Sequence, residues 1–327
     1  MNSIRGKRIL LLYAKFFNYD VIVKNKLEEL GAVVDLFDAR ANLSSAEKAI
    51  KKVYRGFYAK KQKKFHKDIQ ETIKGNDYNF IFTNAYLEPE VVIDYRKLFP
   101  DAKLVLFLDD SVKNLKGVEN TFSLYDHVAT FDRLDAITYN ISLCPLFYSD
   151  SYVNQTTTKE YKYDICFIGT LHSDRLKVIS MIEKYCEQNH ISFYHYCYLP
   201  SGFIFYYYWL TKPEFRLRRK SYFKFEQLSS ETIADILFHS KCVLDIEHPK
   251  QTGLTMRTIE TLGSQKKLLT TNKDIRNYNI FNENNICVIN RNDPRFDISF
   301  LDSAFTPLPS EVMYDYSIEG WISKLFA

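Results

Sequence analysis

Short apolar runs alternate with amphipathic segments through the first half of the chain. The apolar runs, which predict strands, cover 8–13, 33–37, 78–83, 103–108, 127–131 and 141–147. The segments between them carry apolar residues at helical spacing and predict helices over 21–30, 44–74, 88–98 and roughly 112–124. Strand and helix repeated in this order predict a parallel sheet covered by helices on both faces.

The same alternation begins again after a polar stretch without periodicity, which we interpret as a linker over 151–162. Later strands are predicted at 163–170, 191–199, 242–246, 267–271 and 285–290, with helices at about 175–189, at 229–240 and at the C-terminus. The predicted fold class is therefore α/β, with two tandem Rossmann-like domains over 1–150 and 163–315. We expect the helix within 316–327 to pack back on the first domain, and ligands to occupy a cleft between the domains, at the carboxyl ends of the strands.

The most informative stretch is 239–272, in which a strand, a polar loop, a short helix and a second strand follow one another. A loop between a strand's carboxyl end and a helix N-terminus favours phosphate, because free backbone N–H groups and the helix dipole point at the ligand. Arg257 and Glu260 are three residues apart and share a helix face. A cation for phosphate beside a carboxylate for sugar hydroxyls indicates a nucleotide-type ligand. The alternative is an ordinary surface ion pair.

Two sequence blocks resemble a known superfamily. The strand YDICFIGT with Arg175 after it, and the block GL-x-x-R-x-x-E-x-L-G followed by LLTTN, are similar to those of GT-B glycosyltransferases. The similarity is strongest to bacterial surface-polysaccharide and spore-coat type members. The resemblance implies that 163–315 binds a nucleotide-sugar donor and that 1–150 binds the acceptor, with no metal and no cofactor.

The resemblance also implies site residues. Gly169 and Thr170 would face the donor phosphates, Arg257 would pair with phosphate, and Glu260 would bind ribose hydroxyls. The full set of expected donor-binding residues is Gly169, Thr170, Arg175, Gln251, Gly253, Leu254, Thr255, Arg257 and Glu260. Retaining members carry a second glutamate eight positions before the ribose-binding one, where this chain has Thr252. The sugar contact would then come from His248 or Gln251, and the stereochemical outcome stays open.

The candidates for catalysis are Asp109, Asp110 and His248. Inversion needs a general base near the acceptor hydroxyl, and both aspartates directly follow the strand at 103–108, at a carboxyl end where such active sites lie. Adjacent carboxylates point in different directions, so at most one of them is the base. The alternatives are that Asp110 or Ser111 caps the next helix and that His248 is a turn residue.

Two segments concentrate the positive charge of a chain whose net charge is only +4. Lysines interleave with apolar residues over 48–67, and an aromatic block precedes arginines over 203–220. Basic residues beside aromatic ones are typical of proteins that lie on an anionic membrane surface. The alternatives are a solvated helix face for the first segment and an interdomain core for the second. Nucleic acid is not expected, because tandem α/β domains lack a recognised nucleic-acid module.

The sequence excludes several function classes. It has neither the GxGxxG fingerprint of dinucleotide enzymes nor a GxxxxGK[ST] P-loop. No apolar run approaches the length of a membrane span, and we interpret the first residues as a strand rather than a signal peptide. We expect a cytoplasmic, peripheral membrane glycosyltransferase of bacterial polysaccharide biosynthesis, such as capsule or lipopolysaccharide, acting on a lipid-linked glycan acceptor. The alternative is a non-catalytic tandem Rossmann protein that binds nucleotide or partners at the membrane.

Overall fold

The computed structural model describes residues 4–44, 47, 55–153 and 160–327. Positions 48–54 of the basic segment and 154–159 of the expected linker lie outside the described residues. The chain divides into unit 1, Met1–Pro145 with Ile318–Ala327, and unit 2, Leu146–Ser317. Each unit holds a six-stranded sheet. All the strand pairs are parallel, which confirms the predicted α/β class with two Rossmann-like domains.

Unit 1 is built on a sheet of strand order β2-β1-β3-β4-β5-β6. Its strands are β1 Arg8–Tyr13, β2 Val33–Asp38, β3 Phe80–Thr83, β4 Lys103–Leu108, β5 His127–Thr130 and β6 Ser142–Leu143. Its α-helices are α1 Tyr19–Glu29, α2 Arg55–Ile73, α3 Pro89–Leu98, α4 Arg133–Tyr139 and, from the C-terminus, α12 Ile318–Leu325. The middle strands β1, β3 and β4 are buried along nearly their whole length, as expected for strands covered on both faces.

The C-terminal helix α12 supplies a large part of the core of unit 1. Trp321 is 1% exposed and lies edge-on to Phe82 and Phe107, with ring centroids 5.8 and 5.1 Å apart. Phe326 packs against Phe80 at 5.3 Å. Burying aromatic rings of this size makes a large contribution to the stability of a domain. The last turn of the chain is therefore an integral part of the first sheet's packing.

Unit 2 has a sheet of strand order β12-β11-β10-β7-β8-β9. Its strands are β7 Tyr163–Thr170, β8 Phe193–Tyr198, β9 Phe223–Lys224, β10 Ser240–Asp245, β11 Lys267–Thr270 and β12 Ile286–Val288. Its α-helices are α5 Arg175–Gln188, α6 Gly202–Thr211, α7 Pro213–Arg216, α8 Ser230–Phe238, α9 Met256–Gly263, α10 Ser299–Asp302 and α11 Ser310–Asp315. Ser229 caps α8 by accepting a hydrogen bond from Thr232 N at 3.2 Å.

One helix expected from the sequence is different in the structure. The segment 112–124 forms two 3-10 turns, Val112–Asn114 and Val118–Leu124, instead of one helix. Gly117 separates them with a φ of 89°, in the left-handed region that ends helical turns.

Gly263 at the end of α9 provides a test of the packing in unit 2. A Cβ placed there would lie 2.5 Å from Tyr148 Cγ and 2.9 Å from its Cβ, the rigid root of that side chain. We expect Gly263→Ala to destabilise the protein by about 1–3 kcal/mol through overpacking, measured by denaturant unfolding. Gly202→Ala is the matched control, because nothing lies within 4 Å of its added Cβ. Equal stability of the two variants would contradict this packing.

Candidate functional site

Two helix N-termini lie side by side at the carboxyl edge of the second sheet. Strands β7 and β10 are parallel neighbours, with Cys166 opposite Val243. Helix α5 begins shortly after β7, and α9 begins after the loop that follows β10. Their first-turn N–H groups and positive dipole ends therefore lie at the same edge of one sheet. This is the edge at which open α/β sheets bind ligands, and its electrostatics favour an anion.

The loops after β7 and β10 are joined by Arg175. Its guanidinium donates from Nε to Ile246 O at 2.6 Å and from Nη1 to Thr170 O at 2.8 Å. The rings of His172 and His248, one from each loop, lie 5.5 Å apart. A Cβ at Gly169 would lie 3.1 Å from Phe167 Cζ, so the close contact at this glycine is with the Phe167 ring. The structure thus brings together three residues of the expected donor-binding set, Gly169, Thr170 and Arg175, with the catalytic candidate His248.

Arg291 brings two further loops to this edge, and the sequence analysis missed it. It follows β12 and donates from Nη1 to Asp174 Oδ1 at 2.7 Å. Its Nη2 donates to Glu247 O at 2.8 Å, to Glu247 Oε1 at 2.5 Å and to Thr271 Oγ1 at 3.1 Å. Thr271, just after β11, also donates to Glu247 Oε2. An arginine directly after a predicted strand, at the carboxyl end, was the signal that could have identified it.

The pKa of His172 reports the potential in this site. Burial is the main cause that lowers the pKa of His172 to about 3, and four neighbouring groups act in the same direction: Arg175, His248, Lys212 and Arg291. Lys212 is held there by a hydrogen bond from its Nζ to Ser173 O at 2.6 Å. His172 is therefore neutral at pH 7, and Arg175 and Lys212 place positive charge beside it, whereas Arg291 is paired with Asp174 and Glu247. Such a site stabilises an anion more than it stabilises a cation.

Hydrogen bonds from neighbouring side chains hold the loop that leads into α9. Asn272 donates from Nδ2 to Thr252 O at 3.1 Å and to Gly253 O at 3.3 Å. Thr255 caps α9 by accepting from Thr258 N at 3.1 Å, and Thr258 Oγ1 donates to the buried Asp245 at 2.9 Å.

Three other expected donor residues differ in their accessibility. Leu254 is buried in the core, 1% exposed. Gln251 is partly exposed, and its N–H donates to His248 O at 2.9 Å. His248 Nδ1 accepts from Lys250 N at 3.2 Å. On this loop the side chains of Gln251 and His248 are therefore accessible to a ligand, whereas the buried Leu254 packs in the core beneath the loop.

Arg257 and Glu260 contact each other. Arg257 Nη1 lies 2.6 Å from Glu260 Oε2, and Glu260 is only 3% exposed. Tyr152 is also buried and hydrogen-bonds to both side chains, and burial together with Glu260 raises the pKa of its phenol. The pair is therefore an internal ion pair covered by Tyr152, rather than an exposed surface pair. Here the carboxylate expected to bind ribose is engaged within unit 2.

The two candidate aspartates of unit 1 have different surroundings. Asp109 follows β4, is partly exposed and accepts from Asn84 Nδ2 at 2.7 Å. Burial raises its pKa to about 6, against the opposing effects of Arg40 and Asn84. Asp110 Oδ1 instead accepts from Ser111 N at 2.8 Å and from Asn114 Nδ2 at 2.9 Å. Asp110 therefore holds the turn after β4 through these two hydrogen bonds, and Asp109 has the pKa of a general base poised near neutral pH.

Within the described ranges, no group of three or more His, Cys, Asp or Glu side chains is arranged to hold a metal ion. The same ranges contain no helix that is both long and apolar enough to cross a bilayer.

The fold and this edge site define a class: an α/β protein of two Rossmann-like domains, the fold class of GT-B glycosyltransferases. Sucrose-phosphate synthase from Thermosynechococcus elongatus is 12% identical, with a TM-score of 0.59 over 98% of this chain and 95% of that chain. Anabaena Alr3699/HepE in complex with UDP-glucose is also 12% identical, with a TM-score of 0.57 over 98% and 96%.

UDP-GlcNAc 2-epimerase from Methanocaldococcus jannaschii is 10% identical, with a TM-score of 0.55 over 97% of this chain and 99% of that chain. No protein-family model and no curated protein matches the sequence. At such low identities the likeness shows the fold alone, and one fold can carry several activities.

The potential around His172 can be tested directly. A bound diphosphate should raise the pKa of His172 from about 3, because a nearby negative charge favours the imidazolium form. The measurement is an NMR titration of the histidine ring signals with and without inorganic pyrophosphate. His239, which precedes β10 at the opposite edge of the sheet, is the control. A His172 pKa that is unchanged or lowered at saturating pyrophosphate would contradict the anion site.

The raised pKa of Asp109 predicts a stability effect. A carboxyl group with a folded pKa of about 6, against an ordinary value of 3.8, destabilises the fold when ionised. This penalty is fully present above pH 6 and is lost as the pH falls towards 3.8. Asp109→Asn should therefore raise the melting temperature at pH 7.5, with the gain shrinking on acidification. A gain of the same size at every pH would show that ionisation is not its cause.

Proposed function

We propose that the protein is a glycosyltransferase that binds a nucleotide-sugar donor at the carboxyl edge of the second sheet. The observation that carries the proposal is the convergence of four strand ends and two helix N-termini on the edge where Arg175 and Lys212 lie beside His172. A diphosphate linked to a sugar matches this site, because its charge is negative and grows on the leaving group as the sugar departs. Alr3699/HepE, which has the same fold, is in complex with UDP-glucose.

The donor site would work through positioned donors. The first-turn N–H groups of α5 and α9 and the guanidinium of Arg175 would stabilise the departing nucleoside diphosphate. Arg291 would act by holding the loops in place, since it joins Asp174, Glu247 and Thr271. His248 and Gln251 remain the candidates for the sugar contact. Glu260 would bind ribose only after its contacts with Arg257 and Tyr152 rearrange.

Asp109 is the proposed base of a direct displacement. The acceptor hydroxyl oxygen would bond to the anomeric carbon while the bond from that carbon to the diphosphate oxygen breaks. The hydroxyl proton would pass to Asp109, and the electron pair would leave with the nucleoside diphosphate. A carboxylate with a pKa of about 6 is ionised at pH 7 and still basic enough to accept this proton. We propose no metal and no cofactor for this chemistry.

For the acceptor we propose a lipid-linked surface glycan, extended at the inner face of the plasma membrane during polysaccharide biosynthesis. The support is the exposed aromatic and basic surface of 203–220. A nucleotide-binding protein without catalytic activity is the second candidate. The contacts of Glu260 with Arg257 and Tyr152 favour this second candidate, because they occupy the carboxylate that was expected to bind the ribose of the donor.

A ligand panel tests the donor site. Thermal unfolding with nucleoside diphosphates and nucleotide sugars should show stabilisation by one of them, of about 2.7 kcal/mol at a concentration of 100 times Kd. Arg291→Ala should weaken binding of that ligand about tenfold or more, since the loops lose charged hydrogen bonds. Arg295→Ala is the control, because Arg295 forms an exposed pair with Asp293. Absence of stabilisation by every ligand would overturn the proposal.

The base assignment is tested by the rate of sugar transfer. Asp109→Asn should reduce kcat by about 100-fold or more, whereas Asp110→Asn keeps an amide oxygen that can accept the same two hydrogen bonds and should retain most activity. In the wild type, kcat should fall as the pH drops through about 6, where Asp109 becomes protonated. Full activity of Asp109→Asn would exclude it as the base. Ligand binding without transfer to any acceptor would favour the non-catalytic candidate.

A further inference from the structure

Helix α6 exposes an apolar stripe. Phe203, Tyr206, Tyr207 and Leu210 stand at positions i, i+3, i+4 and i+7 of the helix, and all four are exposed. Phe203 is 80% exposed and Leu210 is 64% exposed. Leu217, which follows helix α7, is 84% exposed. Side chains at this spacing lie on one helix face, so they form a single outward surface. We call Phe203, Tyr206, Tyr207, Leu210 and Leu217 the aromatic surface.

The opposite face of α6 holds this surface outward. Phe205 is 4% exposed and packs on Phe215 and on Phe223, whose ring centroid is 5.2 Å away. Ser201 caps the helix by accepting from Ile204 N at 3.3 Å. At the other end, Arg216 donates to Trp209 O at 2.9 Å and to Leu210 O at 2.7 Å. The helix is therefore anchored at both ends and on its inner face, and the aromatic surface cannot turn inward without breaking these contacts.

Positive charge surrounds the aromatic surface. Between positions 202 and 224 the chain carries six basic residues and one acidic residue: Lys212, Arg216, Arg218, Arg219, Lys220, Lys224 and Glu214. Arg219 and Lys220 are exposed, and Lys220 Nζ lies 5.1 Å from the ring centroid of Tyr206. Arg218 is paired with Glu183, so its charge is already neutralised.

We propose that the aromatic surface is a docking surface for an anionic lipid bilayer. Phenylalanine and leucine side chains gain free energy by entering the acyl boundary, tyrosine and tryptophan favour the headgroup level, and exposed cations attract anionic headgroups. Apolar side chains, aromatic side chains and exposed cations are all present on the anchored helix α6 and on the segment that follows it up to Lys220. Because α6 is only ten residues long, the surface lies on the bilayer and does not cross it.

Charge and side-chain type decide against other occupants. A symmetric pair of copies meeting through this surface would bring two positively charged rims together, which is unfavourable. A nucleic acid would accept the cations but would leave Leu210 and Leu217 exposed to solvent or polar groups. A bilayer matches both the charge and the apolar side chains.

Where it is described, the other basic segment, 48–67, exposes charged side chains rather than apolar ones. Helix α2 places Gln62 and His66 in the core of unit 1 and turns its lysines outward. Two of these lysines are neutralised, since Lys61 pairs with Glu47 and Lys63 pairs with Glu90. Its exposed face is charged and not apolar, as expected of a solvated helix face. We therefore assign membrane docking to α6 and to the segment 212–220 that follows it.

Vesicle binding by the full chain tests this assignment. The vesicles are phosphatidylcholine alone and phosphatidylcholine mixed with phosphatidylglycerol, and sedimentation measures the bound fraction. The triple variant Phe203→Ser, Leu210→Ser, Leu217→Ser should bind mixed vesicles at least about tenfold more weakly than the wild type, because three apolar insertions are lost. Arg219→Ser with Lys220→Ser should weaken binding about tenfold at low salt and less at high salt.

Lys64→Ser with Lys67→Ser removes two exposed charges from α2 and is the matched control, which should bind as the wild type does. Fluorescence gives an independent readout. The chain has two tryptophans, of which Trp321 is 1% exposed and Trp209 is 42% exposed. A blue shift on adding mixed vesicles therefore reports Trp209, and the triple variant should abolish it.

Several outcomes would overturn the proposal. They are wild-type binding by the triple variant, loss of binding only in the α2 control, and no binding to mixed vesicles by any form. A dimer that the triple variant abolishes would make the surface a contact between copies. Tighter binding to RNA or DNA than to vesicles would make it a nucleic-acid surface. No vesicle assay needs a nucleotide sugar, so failure here and failure of the proposed transfer activity are distinguishable.

Discussion

Charge buried at the carboxyl edge of the second sheet is the constraint on which the candidate site depends. Glu247 is 7% exposed, and a carboxylate so far from water is unstable unless hydrogen bonds and a counter-ion replace its hydration. Arg291 and Thr271 supply both. Their contacts require the ends of three strands to stand in one arrangement. The requirement of one carboxylate therefore organises the loops that would bind the donor.

A parallel sheet makes this convergence possible. Since all strands of unit 2 run in one direction, every β-to-α loop emerges at the same edge, and distant residues such as Arg175 and Arg291 meet there. Burial at this edge, together with the positive charge held there, lowers the pKa of His172. Unit 1 uses the same geometry for a different result, because there the strand end after β4 places Asp109 where burial raises its pKa.

The alternation of apolar runs and helical segments was enough to predict the α/β class and most of the strands, because strands such as β1 and β4 are buried along nearly their whole length. Local pattern could not distinguish one helix from two turns around Gly117, since that depends on a single backbone angle. It also could not show that Tyr152 lies against the Arg257–Glu260 pair, or that Arg291 reaches Glu247. These contacts join residues far apart in sequence, and only the fold brings them together.

The central claim is that the edge site of unit 2 binds the diphosphate of a nucleotide sugar. The most direct test is calorimetric titration of the wild type and Arg291→Ala with nucleoside diphosphates. We predict saturable binding of one diphosphate to the wild type. The variant should bind it at least about tenfold more weakly, because the loops lose charged hydrogen bonds. Equal affinity of the folded variant, or no binding of any diphosphate by the wild type, would contradict the account.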